Sequence, residues 1–418
     1  MTVADFLIHD AALVATCAGP APRTGAAQRE FPVIPNGAVA ARQGTIVFVG
    51  PSAACRQAVS LTAEAVTFDA RGCTLLPGFI DPHTHLVYAG DRRDELRRRL
   101  AGATYADIAA GGGGILSTVA ATRAASAEEL AAASRVRLDE MLRNGTTTCE
   151  AKSGYGLSLD AELKMLRVIA RLRQEHPVEI SPTFMGAHEI PAEYRGRRQA
   201  FVRHVIDDMI PAVAAAGLAD WCDVFCETGV FTPDESLDIL RAGAAAGLRP
   251  RIHADELAAS GGWRVAVEIG ARSADHLLFV DGSGAAALAR AGVVATLLPI
   301  ASFYLKLGRF APARLLIDAG VPVALATDVN PGGGFSASMP FAIALACFAM
   351  NMTLEEAIVA ATINAAYAID RHDRLGSLEP GKQLDAVILR GDPIDLIRIG
   401  AGVVAAVVKR GRFAVPPS

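Results

Sequence analysis

Two histidines separated by one residue, His83 and His85, close an apolar run that begins at Leu75. On an extended chain, side chains two apart project to the same side, so both imidazoles can face one point. Neutral imidazole binds zinc or iron, and a hydrolytic metal site needs about three protein ligands plus a position left open for water. The stretch Pro77-Gly-Phe-Ile-Asp-Pro-His-Thr-His85 therefore reads as half of such a site, and His253 and Asp328, each ending a later apolar run, can complete it. A His-x-His pair alone is a weak signal, because neighbouring histidines often lie on solvated loops. Two more candidates at the ends of other strands make the set specific, and the chemistry it suits is metal-assisted hydrolysis.

Eight apolar runs in the middle of the chain end in a polar residue or turn. They finish near His85 (from Leu75), Lys152 (from Thr146), His188 (from Ile180), Glu227 (from Trp221), His253 (from Arg251), His276 (from Ser273), Pro299 (from Val293) and Asp328 (from Val323). Helical stretches alternate with them, the pattern of a parallel sheet with helical crossovers. Ser126 and Glu129 have capping-box spacing ahead of a run that reaches Arg143 and stops at Asn144-Gly145. Thr353 and Glu356 repeat that spacing, and the helix they open is expected to continue through Ala357–Ala368. Eight strands close an α/β (β/α)8 TIM-type barrel, which carries its catalytic groups at the carboxyl ends of the strands. Polar residues mark strand ends in any fold, but five of the nine histidines (His83, His85, His188, His253 and His276) fall there. His9, His176, His204 and His372 lie elsewhere and are expected on the surface.

Both chain ends are written in strands. Asp5–Ala15, Gly37–Ala41 running on to Thr45–Gly50, and Ala65–Asp69 precede the barrel; Leu384–Arg390 and Val403–Phe413 follow it after the turn-rich Gly376–Gly381. The expected division is one small β-sandwich domain from residues 1–75 and 371–418, and a barrel from 76–370.

With 418 residues, 51% hydrophobic and 20% charged, the chain can bury a large core. A net charge of −4, from 40 basic and 44 acidic residues, offers no general field for nucleic acid or an anionic membrane, which favours a small-molecule ligand. Asp5, His9 and Asp10 interrupt what a secretory signal would need as an apolar core, and no window approaches the roughly 20 apolar residues of a membrane span. The seven scattered cysteines read as reduced thiols of a cytoplasmic protein, with Cys222 and Cys226 packing on one strand.

Several longer stretches narrow the reading. They are Asp81-Pro-His-Thr-His-Leu-Val87 with Arg92 following, Gly111-Gly-Gly-Gly-Ile-Leu-Ser-Thr118, Gly145-Thr-Thr-Thr through Lys152-Ser-Gly-Tyr-Gly156, and Gly186-Ala-His-Glu-Ile-Pro191. Asp223-Val-Phe-Cys-Glu-Thr-Gly229, His253-Ala-Asp-Glu256, Ala274-Asp-His276, Thr327-Asp-Val-Asn-Pro-Gly332 and Thr362-Ile-Asn-Ala-Ala366 extend the set through nearly the whole barrel. In these the chain resembles the imidazolonepropionase family of the amidohydrolase superfamily. The opening His-x-His is shared across the superfamily, whereas the Lys-Ser-Gly-Tyr-Gly and Gly-Gly-Gly-Ile-Leu-Ser-Thr stretches belong more narrowly to this family.

The resemblance implies one zinc or iron ion on His83, His85, His253 and Asp328, the four residues that strand-end position also selects. It implies a homodimer, and hydrolysis of 4-imidazolone-5-propanoate to N-formimino-L-glutamate in histidine degradation. Substrate contacts would fall to Arg92, Tyr155, His188, Glu256, Asn330 and Gly332. Asp328 would handle the proton of the attacking water, His276 and His188 would stabilise the oxyanion, and Glu256 would carry a proton to the leaving nitrogen. Relatives with two metals use a carboxylated lysine ending the fourth strand; here that strand ends in Glu227, and Lys152, on the second, is expected to pair with Glu150 or Glu227. Many members read Asp-Phe-Asn-Pro-Gly-Ser-Ser where this chain has Asp328-Val-Asn-Pro-Gly-Gly-Gly334. Plainer readings compete: Arg92 lies in a charged run typical of a solvated helix face, Tyr155 could pack a turn, and Gly111–Gly114, lacking a Gly-Lys-Ser/Thr ending, reads as a loop near the mouth and not a phosphate loop. The alternatives for the whole protein are a deaminase of cytosine-like or guanine-like rings, which shares the His253-x-x-Glu256 arrangement, and a non-catalytic scaffold, which would normally lack metal ligands.

Overall fold

A computed structural model describes residues 1–103 and 113–417. The terminal sheet contains β1 (Thr2–Ala15), β2 (Val33–Arg42), β3 (Thr45–Pro51), β4 (Val59–Asp69) and β5 (Cys73–Pro77) from the first part of the chain. From the last part it takes β15 (Ala386–Arg390), β16 (Val404–Lys409) and β17 (Arg412–Val415). Its order is β17-β16-β15-β5-β1-β2-β3, with β4 alongside β1, so the antiparallel β5–β15 pair joins the two chain ends. Phe6, Ile8, Val39, Ile46, Leu75, Ile388 and Val408 fill its core. The single runs expected over 37–50 and 403–413 are hairpins, turning at Gln43-Gly44 and Arg410-Gly411, where all four residues take positive φ.

The barrel strands are β6 (Phe79–Asp81), β7 (Thr146–Lys152), β8 (Glu179–Ala187), β9 (Trp221–Cys226) with the short β10 (Arg249–Pro250) beside it, β11 (Ile252–Ala254), β12 (Ser273–His276), β13 (Val294–Leu297) and β14 (Val323–Leu325). Their pairings are parallel and run in chain order from β6 to β14. Closure occurs just past the strand ends, where Asp328 N–H donates to the His83 carbonyl at 3.1 Å and His85 N–H to the Val329 carbonyl at 3.0 Å.

The run from Leu75 to His85 is not one strand. Leu75 and Leu76 pair in the terminal sheet and Phe79 begins the barrel, with Gly78 at the corner, where an added Cβ would overlap Thr147. Both halves are buried, so the apolar pattern continues across the change of sheet and hides it. The helix expected through Ala368 also breaks: Leu354–Ala360 is capped as expected by Thr353, but Thr362 (φ −127°, ψ −94°) interrupts before Ile363–Ala368. The capping box at Ser126 and Glu129 forms, opening Ala127–Arg143. No helix among the described residues is long and apolar enough to cross a membrane.

Candidate active site

His83 and His85 lie beyond β6, on a segment that the sheet still holds extended. Lys152 N–H donates to the Thr84 carbonyl on one side, and the two closure bonds to β14 flank it on the other. Thr84 therefore faces away, and the two imidazoles on either side of it face the barrel axis together with His253 from β11. The three rings place one nitrogen each within 4.8 Å of one another. His85 Nε2 and His253 Nε2 approach to 3.2 Å, and Asp328 Oδ1 stands 3.6 Å from His83 Nε2 and 3.7 Å from His85 Nε2.

Two carboxylates behind the rings fix how they present themselves. His83 Nδ1 bonds to Asp275 at 2.6 Å and His253 Nδ1 to Asp223 at 3.0 Å, so each Nδ1 carries the proton and each Nε2 turns its lone pair inward. Fully buried cations back both carboxylates: Arg251 reaches Asp275 at 3.3 Å, and Lys152 reaches Asp223 at 2.7 Å and Glu150 at 2.9 Å. Lys152 thus pairs with Glu150 as expected but not with Glu227, which accepts from the Thr228 and Leu257 N–H groups.

This donor set fits a divalent cation. His83 Nε2 and Asp328 Oδ1 are buried and have no hydrogen-bond partner. Among the described residues, the interior carboxyls Asp81, Glu150, Asp223, Asp275, Glu256 and Asp328 outnumber the cations paired with them, Lys152 and Arg251. Burial lifts Asp328 to about 8 and Asp81 to about 7, the mark of carboxyls whose charge has no local counterpart. Burial likewise depresses His83, His85 and His276 far below the usual imidazole range, which keeps them neutral and able to act as ligands.

The remaining candidates line one cavity of about 250 Å³ above this centre: Arg92, Tyr155, His188, Glu256, His276, Asn330 and Gly332. A wider groove of about 740 Å³ between terminal strands, near Gln43, Arg410 and Phe413, contains no histidine and lies away from this chemistry. Burial drives Glu256 well above the ordinary carboxyl range, with Asp328 and Glu227 adding to the effect. It stands 3.7 Å from His276 Nε2, and neither ring nitrogen of His276 has a partner. His188 donates Nδ1–H to the Gly154 carbonyl at 3.0 Å, which leaves Nε2 as an acceptor. Burial also holds His188 at about 3, so it does not gain a second proton.

Arg92 is no solvated helix residue: its side chain is 9% exposed and turned into the cavity at the start of the Arg93–Leu100 helix. The Gly332–Gly334 loop closes tightly. Asn330 accepts from the Gly332 and Gly333 N–H groups at 2.8 and 2.7 Å, and a Cβ at Gly334 would overlap the Asp328 carbonyl. Glycine at 334 is what permits this approach, so a serine there would need a different loop path. Gly111 and Gly112 lie outside the described residues; Gly113 and Gly114 lead into the Ile115–Ala124 helix. His9, His176, His204 and His372 lie away from the cavity, but they are half-buried and not surface-exposed: the first three bond to Asp10, Asp139 and Asp208, and His372 packs on Tyr367. The sequence reading missed Asp223, Asp275 and Arg251. The available signal was a charged residue inside each of three strand-end runs: Asp275 next to His276, Arg251 one removed from His253, and Asp223 four positions before Glu227.

A parallel barrel with a buried histidine–carboxylate centre at its carboxyl end defines a hydrolase built to hold a metal ion. The model of the amidohydrolase family matches residues 74–414. The chain is 51% identical to the imidazolonepropionase of Symbiobacterium thermophilum, over 99% of this chain and 98% of that one. It is 50% identical to that of Geobacillus kaustophilus, over 92% and 91%. The chain belongs to the amidohydrolase family, and within it to the imidazolonepropionases. Among solved structures, a zinc-bound adenosine deaminase from Xanthomonas campestris shares the fold at 20% identity (TM-score 0.69, 100% of this chain and 94% of that one). A zinc complex of atrazine chlorohydrolase from Arthrobacter aurescens does so at 18% (TM-score 0.70, 99% and 95%).

Proposed function

We propose that the cavity hydrolyses the ring amide of 4-imidazolone-5-propanoate, consuming one water and giving N-formimino-L-glutamate. The observation that carries this reading is the pairing, in one small cavity, of a cation-demanding histidine–aspartate centre with the guanidinium of Arg92. A substrate that bridges them needs a hydrolysable ring at one end and an anion at the other.

His83, His85, His253 and Asp328 would hold one zinc or iron ion. Such an ion, when bound, lowers the pKa of a water from about 15.7 toward 7 and so supplies the nucleophile. A single ion is supported by Lys152: burial works against its charge, but Asp223 and Glu150 outweigh that and raise its pKa, so the neutral amine needed for carboxylation is scarce.

Asp328, lifted by burial to about 8 on its own, would be ionised beside the cation and then take up the water's proton at its carboxylate. His276, neutral and unpartnered, donates its ring N–H to the oxygen that gains charge. Glu256 delivers its proton to the leaving ring nitrogen, a task suited to a carboxyl whose proton affinity burial raises. His188 Nε2 accepts from a substrate N–H. Arg92 grips the propionate, and Tyr155, which burial holds in its phenol form, donates beside it. Asn330 sets the loop that seats Gly332 under the substrate.

The reading extends to a cytoplasmic homodimer. Seven free cysteines, five of them buried, suit a reducing compartment, and Phe348, 75% exposed, suits self-association. We place the domain boundary at the Pro77–Gly78 corner and not at residue 75, because Leu76 and Pro77 pair in the terminal sheet. The test is incubation of metal-loaded protein with imidazolone propanoate. Loss of ring absorbance with formation of formiminoglutamate is expected, and release of ammonia with the ring retained would replace this reading with a deaminase.

A further inference from the structure

Arg92 is held by a residue with no assigned part in the site. Glu95, one helical turn on and 7% exposed, accepts from Arg92 Nε at 2.8 Å and lies 2.7 Å from Nη2, both through its Oε2. Its other oxygen, Oε1, accepts from the Gly114 N–H at 2.7 Å. One edge of the guanidinium is therefore occupied. Nη1 has no protein hydrogen-bond partner among the described residues, and it lies over Gly332, where an added Cβ would overlap it. Gly332 is itself fixed from behind, its carbonyl accepting from Arg99 Nη1 at 3.3 Å and its N–H bonding to Asn330.

We propose that Glu95 is a positioning residue for recognition of the substrate's acid arm: it fixes the plane of the Arg92 guanidinium against Gly332 so that the outer edge faces the cavity as a ready-made fork for one carboxylate. An arginine without such an anchor explores many rotamers and loses that freedom on binding; one already clamped loses little. Burial alone would raise Glu95, yet the Arg92 and Gly114 contacts outweigh it and keep the carboxyl ionised. Because Glu95 occupies one full edge of the guanidinium, Arg92 has a single edge left, which suits a monocarboxylate and disfavours a second acidic group on the same arm. The identity of that arm as propionate rests on the substrate reading above.

Calorimetric binding of imidazole-4-propanoate and of 4-methylimidazole to the metal-loaded protein tests the fork without depending on turnover. Wild type is expected to bind the carboxylate at least tenfold more tightly. Glu95→Ala and Glu95→Gln should each lose most of that preference while binding 4-methylimidazole unchanged, and Glu95→Asp should restore part of it. Arg92→Ala should abolish the preference, and the Arg92→Ala/Glu95→Ala double variant should lose nothing more. In turnover, Glu95→Gln should raise KM for imidazolone propanoate about tenfold with kcat within about threefold. Equal losses on both ligands, or losses that multiply in the double variant, would overturn the proposal and leave Glu95 as a brace for the loop at Gly114. A wild type that shows the binding preference but does not turn over imidazolone propanoate would sink the substrate reading and leave the fork standing.

Discussion

Acids withdrawn from solvent are treated in opposite ways at the amino-terminal end of the barrel and in the cavity at its mouth. At the amino-terminal end, Glu179 opens β8 beneath the C-terminal segment and is surrounded by cations: Arg374, Arg371 at 3.5 Å, and Lys409 and Arg410 at 3.8 Å. Burial would raise it, but these partners outweigh that and hold its carboxyl below the usual range. Asp385 beside it bonds to Lys409 at 2.7 Å. At the carboxyl end, Asp328 and Glu256 are more fully buried, yet among the described residues no guanidinium or ammonium touches them, and burial drives both upward. The lower acids complete their interactions within the fold. In the function proposed above, the upper ones are left for a cation and a substrate to complete, and that difference would separate a structural charge cluster from a catalytic one.

The largest expected break of this contrast is His253→Ala. It removes one of three clustered imidazoles and takes from Asp223 its ring N–H donor, so metal content should fall well below one ion per chain and kcat/KM by about 10³ or more, as loss of several kcal/mol of transition-state stabilisation requires. Elemental analysis with steady-state kinetics decides it, and full metal content with normal turnover would refute the centre.

Next comes Glu256→Gln, which keeps the shape of the side chain but cannot give up a proton. Metal should stay bound, kcat should fall about 10²-fold, and thermal stability should hold or rise, because the amide removes a buried acid that no cationic side chain among the described residues offsets. Normal turnover would end the proton-donor role.

The smallest effect on catalysis belongs to the other end. Glu179→Gln should leave kcat/KM within about twofold while costing roughly 2 kcal/mol, below the 3–5 typical of breaking a fully buried pair. The pH dependence has a definite sign. The folded pKa of Glu179 lies below its unfolded value of about 4.3, so its contribution is complete above that value and is lost as pH falls through the folded pKa. The stability gap between wild type and Glu179→Gln should therefore close in acid. Urea unfolding at neutral pH and near pH 3 measures it, and a gap that widens in acid would contradict the pairing.

Much of this was legible before any coordinates. The sequence by itself determined the eight-strand count, the terminal sheet shared by both chain ends, and the polar residues that crown the strands, because alternating burial and strand-end polarity are local patterns. The capping boxes at Ser126 and Thr353 were equally local. Only the tertiary structure decided which acid stands behind which imidazole. His83 meets Asp275 192 positions away, His253 meets Asp223 and through it Lys152, and no local spacing encodes such pairs. It also decided that Leu75–His85 changes sheets at Gly78, since residues buried in either sheet look alike in sequence. Finally, it set the direction of each side chain. Glu95 lies three positions from Arg92, a spacing that suits a solvent-exposed ion pair equally well, and only the fold turns Arg92 of that pair into the cavity that His85 and His253 also line.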